Sequence, residues 1–263
     1  MWTNIHARVH QTLKDSCILP HKSNLLIAVS GGQDSLCLLK IMIDLQEKWG
    51  WNIAIAHCDH GWGSDLGIAD HVEKIANNWN IPFYLKVAKA MKETEAAARE
   101  WRYQSLVEIA EENDCREIVT GHTLSDRSET LLYNLIRGAG SNGLGALTWK
   151  RPLTNNINLV RPLLKVSRGE TLEFCQQFAL PIWEDAANAN LDYARNRIRQ
   201  ELVPYLKENF NPNVETTLSQ TSEVLKAESD YLEAEANKIL LSAVNDHNSK
   251  LNREVLKLSL IHI

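Results

Sequence analysis

The chain has 263 residues, a formal net charge of −5 and 44% hydrophobic residues, which is the profile of a soluble globular protein. No apolar run approaches the roughly 20 residues that a membrane-spanning helix needs, and no signal-peptide core follows the first residues. The five cysteines are widely separated and form no Cys-x-x-Cys pair, which argues against a disulfide framework, a zinc ribbon or an iron–sulfur cluster. We therefore expect a cytoplasmic protein with one large core and a smaller second module.

The first predicted elements are an amphipathic helix over residues 2–17 and a short aliphatic strand over residues 25–29. A glycine turn follows, and helical spacing resumes at Leu36. The glycines allow unusual backbone angles, and the start of the next helix offers unpaired N–H groups and the positive end of its dipole. This strand, turn and helix predict an anion site, most naturally for phosphate. The turn consists of Ser30, Gly31, Gly32, Gln33, Asp34 and Ser35.

The residues of this turn exclude two common phosphate-binding motifs and favour a third. The turn matches neither the Walker A pattern nor the Gly-x-Gly-x-x-Gly pattern of dinucleotide-binding proteins. The hydroxyls of Ser30 and Ser35 flank the Asp34 carboxylate, which needs a cation such as Mg²⁺ between itself and a phosphate. The turn resembles the SGGxDS loop of the adenine nucleotide alpha hydrolase-like ATP pyrophosphatases, or PP-loop enzymes. The alternative is an ordinary glycine turn capped by serine and aspartate.

Strands and helices then alternate at the lengths typical of βαβ units with a parallel sheet. We predict an α/β fold in which a Rossmann-like parallel-sheet domain over residues 1–210 is followed by a smaller, mainly helical region over residues 211–263. In such sheets ligands bind beyond the carboxyl ends of the strands. The predicted strands after the glycine turn cover residues 51–57, 83–87 and 117–121, and the predicted helices between them cover residues 65–79 and 93–112.

Polar residues follow three of these strands, where parallel strands would bring them to one edge. Asp126 and Glu129 are three apart and share a helix face. A histidine at a strand end is more often structural, and carboxylates in a first helical turn are also explained by helix capping. The common location of these residues nevertheless favours a single site. The other residues that follow the strands are His57, Asp59, His60 and His122.

The C-terminal half adds an arginine-rich segment despite the acidic total. Residues 137–145 are glycine-rich and predict a flexible surface loop, with Arg137 at its root suited to a phosphate or nucleotide contact. Arg195 and Arg199 lie one predicted helical turn apart, so their guanidiniums could address one anionic group. A solvated basic face is the alternative. A long polar helix over residues 214–241 is expected to leave the nucleotide-binding body.

Taken in order, the motifs from Ser30 to Arg199 resemble those of the bacterial tRNA(Ile)-lysidine synthetases. Two positions depart from the family pattern, since Ser125 replaces a frequent aspartate and Ala187 replaces serine or threonine. The abrupt C-terminus leaves open whether the helical region over residues 211–263 is truncated. The matching motifs are SGGxDS, His-x-Asp-His-Gly, Gly-His-x-x-x-Asp-x-x-Glu-Thr, Arg-Gly-x-Gly, Arg-Pro-Leu-Leu and Glu-Asp-x-x-Asn followed by Arg-Asn-x-Ile-Arg.

The resemblance implies that ATP adenylates the wobble cytosine of tRNA(Ile) with a CAU anticodon, and that the ε-amine of L-lysine then displaces AMP. It implies Mg²⁺ on Asp34 and Asp126, and catalytic roles for Asp34, Asp126 and Arg195. A homodimer is left open, and no membrane partner is expected. The implied nucleotide-binding residues are the glycine turn, His57, Asp59, His60, His122 and Arg137. The implied substrate residues are Glu129, Glu184, Asp185, Asn188, Arg195, Asn196 and Arg199.

Two other functions fit parts of the same pattern. A tRNA thiolase would share the adenylating loop, but the thiolases that use a cluster or a catalytic disulfide need paired cysteines. A non-catalytic nucleotide-binding module would share the fold, but it would not need the downstream arginine segment.

Overall fold

The computed structural model describes residues 1–62, 66–89, 94–145, 147–183 and 191–243. In these residues six strands form one sheet, which has helices on both faces. The strands are β1 Asn24–Ala28, β2 Asn52–Asp59, β3 Phe83–Val87, β4 Glu117–Thr120, β5 Lys150–Pro152 and β6 Asn158–Val160. The helices are α1 Asn4–Ser16, α2 Gln33–Trp49, α3 Ile68–Asn78, α4 Glu95–Glu112, α5 Leu124–Ile136, α6 Ser141–Leu144, α7 Arg168–Gln177, α8 Ala194–Arg197, α9 Val203–Asn209 and α10 Val214–Ala243, with a π-helical turn, Ile198–Leu202, between α8 and α9.

The strand order is β3-β2-β1-β4-β6-β5. The first five strands of this order are parallel to one another, as the sequence predicted, while β5 pairs antiparallel with β6 at the edge. The chain builds outward from β1 to β3 and then returns to place β4 on the other side of β1. The neighbours β1 and β4 therefore define the topological switch point, where doubly wound sheets bind their ligands.

The central strand β1 is buried on both faces, which explains its continuous aliphatic sequence. Leu25 and Ile27 belong to the core cluster that includes the buried residues of α2, whereas Leu26 packs on the opposite face. There it meets Leu106 and Ile109 of α4. Period-two alternation thus joins one strand to two hydrophobic cores.

Two expectations for the C-terminal half are wrong. The glycine-rich stretch contains a helical turn, α6, whose Leu144 carbonyl accepts a hydrogen bond from Ser222 Oγ of α10 at 2.9 Å. Helix α10 does not leave the nucleotide-binding body, because its first half packs against α5 and α6. The predicted boundary at residue 210 lies in the connection between α9 and α10 and stays a prediction.

Among the described residues, no helix combines the length and the hydropathy that crossing a membrane requires.

Candidate active site

The glycine turn lies between β1 and α2, as predicted. Gly31 has φ +85°, in the left-handed region, and its carbonyl accepts a hydrogen bond from Trp183 N at 3.0 Å. Gly32 has φ −75°, so the expectation that both glycines supply unusual backbone angles is wrong for this residue. Gly32 is the N-cap of α2 and provides no side-chain cap, which leaves first-turn N–H groups of the helix available for an anion.

The two serines of the turn are tied to each other. Ser30 N donates to Ser35 Oγ at 3.2 Å, and the Ser35 hydroxyl donates to the Gly32 carbonyl at 2.8 Å. These bonds close the turn over the start of α2. The predicted loop is therefore preorganised by its own hydroxyl groups.

A second glycine brings β4 against this turn. A Cβ atom on Gly121 would lie 2.8 Å from the backbone oxygen of Asp34, so only glycine allows the end of β4 to approach α2 this closely. His122 and Asp126 follow Gly121 directly. The close approach explains how the end of the fourth strand reaches the phosphate loop.

A cavity of about 370 Å³ opens at this switch point. It brings together seven of the residues predicted from the sequence, and it does not include Gly31, Gly32, Gln33, Asp59 or Arg137 in its lining. The seven residues are Ser30, Asp34, Ser35, His57, His60, His122 and Asp126. The lining also contains Ala28, Val29, Ala56, Cys58, Ile68, Arg102, Tyr103, Leu106, Thr120, Gly121 and Arg168.

Arg168, the first residue of α7, bridges the two predicted metal ligands. Its Nε lies 3.1 Å from Asp34 Oδ2 and its Nη2 lies 3.0 Å from Asp126 Oδ1. Asp34 also accepts a hydrogen bond from the Thr171 hydroxyl. One guanidinium therefore joins carboxylates that lie far apart in the sequence.

Asp126 serves two purposes, because its two oxygens have different partners. Oδ2 accepts bonds from Thr123 N at 2.8 Å and from Thr123 Oγ1 at 2.9 Å, which completes a capping box at the start of α5. Oδ1 faces Arg168 in the cavity. Capping and a position in the cavity, which the sequence presented as alternatives, thus coexist in one side chain. Ser125, at the position where the family has aspartate, accepts a hydrogen bond from Arg168 N at 3.1 Å.

Glu129 and Arg199 form a buried bidentate pair next to these groups. Arg199 Nε and Nη2 lie 2.9 Å and 2.8 Å from the two Glu129 oxygens, and Arg168 Nη1 approaches Glu129 at 3.6 Å. Three carboxylates, those of Asp34, Asp126 and Glu129, therefore share two guanidiniums. When all are ionised, the cluster retains one excess negative charge, which suits a cationic ligand.

The electrostatic environments of the carboxylates differ. Burial raises the pKa of Asp34, and the charge of Arg168 does not fully offset this effect. Burial would also raise the pKa of Asp126, but the charges of Arg168 and Arg199, with the Thr123 hydrogen bond, lower it below its ordinary value. Burial lowers the pKa of His122 to about 3, so its imidazole is neutral at pH 7. Burial raises the pKa of Glu129 despite its pairing with Arg199.

Several predicted ligand residues have structural partners. His57 Nδ1 contacts the Val29 carbonyl oxygen at 2.7 Å, which requires a proton on that nitrogen. Asp59 Oδ1 accepts a bond from Gly61 N at 2.7 Å. Gln33 Nε2 donates to the Arg168 carbonyl at 2.8 Å and so ties α2 to α7.

The predicted arginines do not converge on one point. Arg199 is held by Glu129, while the guanidinium carbon of Arg195 lies 5.4 Å from the ring centroid of Tyr133. Arg137 donates to Tyr133 Oη at 2.5 Å. It follows the last residue of α5, eleven positions after Asp126, which separates the two residues by roughly 16 Å along the helix axis. Asn196 is buried. Glu184, Asp185 and Asn188 lie outside the described residues.

The sequence prediction missed Arg168, Arg102 and Tyr103. Arg168 follows Ser167, the N-cap of α7, but nothing local in the sequence indicates that the Arg168 side chain turns toward Asp34. Arg102 and Tyr103 lie on α4, and Arg102 Nη2 lies 3.2 Å from His60 Nε2. A basic and an aromatic residue on a helix beside the strand ends were the available signal.

A doubly wound sheet with a phosphate-binding SGGxDS turn and a carboxylate–arginine cluster at its switch point defines a PP-loop nucleotide-binding protein. The family model described as the PP-loop domain matches residues 1–206. The chain belongs to this family and, within it, to the tRNA(Ile)-lysidine synthases, as the following similarities show.

Curated relatives of this name cover almost the whole chain. The tRNA(Ile)-lysidine synthase of Nostoc sp. is 57% identical over 91% of this chain and 70% of its own length. That of Synechocystis sp. is 48% identical over 97% of this chain and 79% of its own. A chloroplastic tRNA(Ile)-lysidine synthase of Pyropia yezoensis is 38% identical over 98% of this chain and 78% of its own.

Among solved structures, the U34-tRNA thiolase NcsA of Methanococcus maripaludis with its [4Fe-4S] cluster superposes with a TM-score of 0.71 at 17% identity, over 85% of this chain and 78% of its own. This likeness confirms the predicted fold and nothing beyond it. In the present chain, Cys58 lines the cavity, but burial raises the pKa of its thiol to about 12. In the described residues no group of three or more His, Cys, Asp or Glu side chains could hold a metal.

Proposed function

We propose that this chain ligates L-lysine to the wobble cytidine of tRNA(Ile) with a CAU anticodon, using ATP and releasing AMP and pyrophosphate. One observation carries the proposal: Ser30 and Ser35 of the SGGxDS turn, His122 and the Asp34–Arg168–Asp126 cluster line one cavity in a chain that is 57% identical to a tRNA(Ile)-lysidine synthase. The cytosine carbonyl is a poor electrophile. Adenylation makes AMP the leaving group, which lysine then displaces.

ATP binds with its phosphates over the turn of residues 30–35. The start of α2 lacks a side-chain cap, so its N–H groups are donors for phosphate oxygens. Ser35 is buried and the Asp34 side chain is 17% exposed, so water has limited access to this side of the cavity and those bonds are strengthened. The neutral His122 imidazole at the end of β4 adds no charge there and can donate or accept a single hydrogen bond.

Mg²⁺ is usually held by one or two carboxylates together with waters and substrate phosphates. Asp34 and Asp126 present that donor set beside the phosphate turn, so the residues fit the ion, and Asp126 Oδ1 and Asp34 Oδ2 are the oxygens that face Arg168. When bound, the ion would neutralise charge that develops on the β- and γ-phosphates. Arg168 orients both carboxylates toward the same point.

The excess negative charge of the cluster, in which three carboxylates share two guanidiniums, attracts the ammonium group of lysine. Asp126 remains ionised because its pKa is lowered, and it can accept hydrogen bonds from the amine. Arg195 acts on an anionic group of the adenylate or the RNA, because its guanidinium offers bidentate contacts that lysine does not reproduce. Arg195→Lys is therefore expected to reduce AMP release without lowering the melting temperature.

The assay for the proposal is AMP and pyrophosphate release with ATP, L-lysine and an unmodified tRNA(Ile) transcript, each omitted in turn. Mass spectrometry of the anticodon fragment should show the mass of one lysine added to cytidine with loss of water. AMP release that needs tRNA and a sulfur donor instead of lysine would support a thiolase. ATP binding with no turnover under any combination would support the non-catalytic module.

A further inference from the structure

A second cavity, of about 380 Å³, lies next to the catalytic cavity. Tyr103 lines both cavities, so the two share a wall on α4. Three arginines from separate parts of the chain line the second cavity, and we refer to Arg99, Arg151 and Arg161 as the arginine pocket. The remaining lining residues are Ala96 and Glu100.

The three guanidiniums are arranged around the Tyr103 ring. The guanidinium carbons of Arg99 and Arg151 lie 5.3 Å and 5.0 Å from its centroid. Arg161 is 1% exposed, donates from Nη1 to the Thr148 carbonyl at 2.7 Å, and has a buried Nε with no hydrogen-bond partner. A buried guanidinium with an unused donor is costly unless a ligand completes it.

The positive charge of this pocket is not balanced by the protein. In the described part of the chain, none of the three arginines forms an ion pair, and Glu100 is an exposed side chain at the rim. Burial would raise the pKa of Tyr103, but the charges of Arg99, Arg161 and Arg151 lower it below its ordinary value. For this phenol the charges of the three arginines outweigh the effect of burial.

We propose that the arginine pocket binds a backbone phosphate of the tRNA next to the nucleotide whose base enters the catalytic cavity. This inference rests on the proposed function. RNA bases that are recognised outside a helix are splayed from the stack, and contacts to the neighbouring phosphates fix their position. Arginine forks suit phosphate oxygens, and the Tyr103 wall places such a phosphate beside the cavity that receives the base. Pyrophosphate leaving the phosphate turn is the other source of the same chemistry.

The test compares Arg151→Gln and Arg99→Gln with a matched control, Arg116→Gln. Arg116 is exposed and immediately precedes β4. It therefore lies at the amino end of this strand, whereas the cavities lie at the carboxyl ends of the parallel strands. The dissociation constant of a tRNA(Ile) transcript is measured by filter binding at several KCl concentrations. We expect roughly tenfold weaker binding for each pocket variant. The plot of the logarithm of the association constant against the logarithm of the salt concentration should become shallower by about 1. The control should match the wild-type protein in both quantities.

Three further outcomes separate the explanations. Unchanged tRNA affinity and slope in both pocket variants would overturn the proposal, even if the wild-type protein releases AMP in a lysine-dependent reaction. If inorganic pyrophosphate inhibits AMP release less in the pocket variants than in the wild-type protein while tRNA affinity is unchanged, the pocket binds pyrophosphate. That result would also overturn the proposal. Pocket-dependent tRNA binding by a wild-type protein that forms no AMP with lysine would refute the proposed function while leaving the phosphate site in place.

Discussion

Asp34 is a residue whose ionised form the fold disfavours. Burial raises the pKa of its carboxyl. The ionised carboxylate therefore lowers the free energy of unfolding at neutral pH, and this loss of stability disappears as the pH falls and the group is protonated. We predict that Asp34→Asn nearly abolishes AMP release while the melting temperature is unchanged or higher. The paired measurements are AMP release at saturating substrates and thermal unfolding at pH 7. Near-normal turnover in this variant would refute the metal-binding role of Asp34.

Asp126 shows the opposite balance, because its folded-state pKa is lowered. An ionised Asp126 stabilises the fold above its unfolded pKa of about 3.9, and this stabilisation is lost as pH falls through the lower folded value. We predict that Asp126→Asn costs about 1–2 kcal/mol at pH 7 and that the difference from wild type shrinks below about pH 4. Chemical unfolding across this range measures it. A difference that stays constant with pH would contradict the ionised role.

The sequence could identify Asp34, His122 and Asp126, because parallel strands bring their carboxyl ends to one edge. It could not identify Arg168. That side chain reaches Asp34 across 134 positions, and it begins a helix whose start looks like any capped N-terminus. Residue positions that depend on strand ends were therefore predictable, whereas contacts created by packing a distant helix were not.

At the scale of elements, the close contact between the end of β4 and the start of α2 depends on a glycine, Gly121, which has no side chain. A Cβ atom on Gly121 would meet the Asp34 backbone at 2.8 Å, whereas a Cβ atom on Gly140 would have nothing within 4 Å. We predict that Gly121→Ala costs roughly 1–3 kcal/mol and displaces Asp34, so that activity falls as well. Gly140→Ala is the matched control and should unfold at the wild-type urea midpoint. Equal midpoints for the two variants would show that α2 can move without cost.

The sequence predicted helix α4 and strand β3 but missed two elements of three and four residues. Helix α4 and strand β3 were found at or near their observed bounds. Strand β5 was missed because three residues ending in proline show no alternation, and it pairs only at the sheet edge. Helix α6 was missed because glycine content hid a single turn that Ser222 stabilises from another helix.

At the scale of the whole molecule, α10 is joined to the body through a buried charge. The Arg127 side chain is 2% exposed, and its Nη1 lies 2.5 Å from Glu223 Oε1. Arg127 Nε donates to the Leu147 carbonyl at 3.0 Å, and Trp149 Nε1 donates to the same Glu223 oxygen at 2.9 Å. This arrangement holds α10 against α5, the helix that carries Asp126 and Glu129.

Removing the charge of Glu223 should therefore loosen the helix and, through α5, the active site. We predict that Glu223→Gln lowers the free energy of unfolding by about 1–3 kcal/mol, because Arg127 stays buried while its partner, itself 38% exposed, loses its charge. Glu228→Gln, an exposed position on the same helix, should change it by less than about 0.5 kcal/mol. Urea unfolding of both variants tests this, and hydrogen exchange of α10 amides should accelerate only in the first. Equal stability of the two variants would mean that apolar packing alone anchors α10, and the coupling of this helix to α5 would then not pass through Arg127.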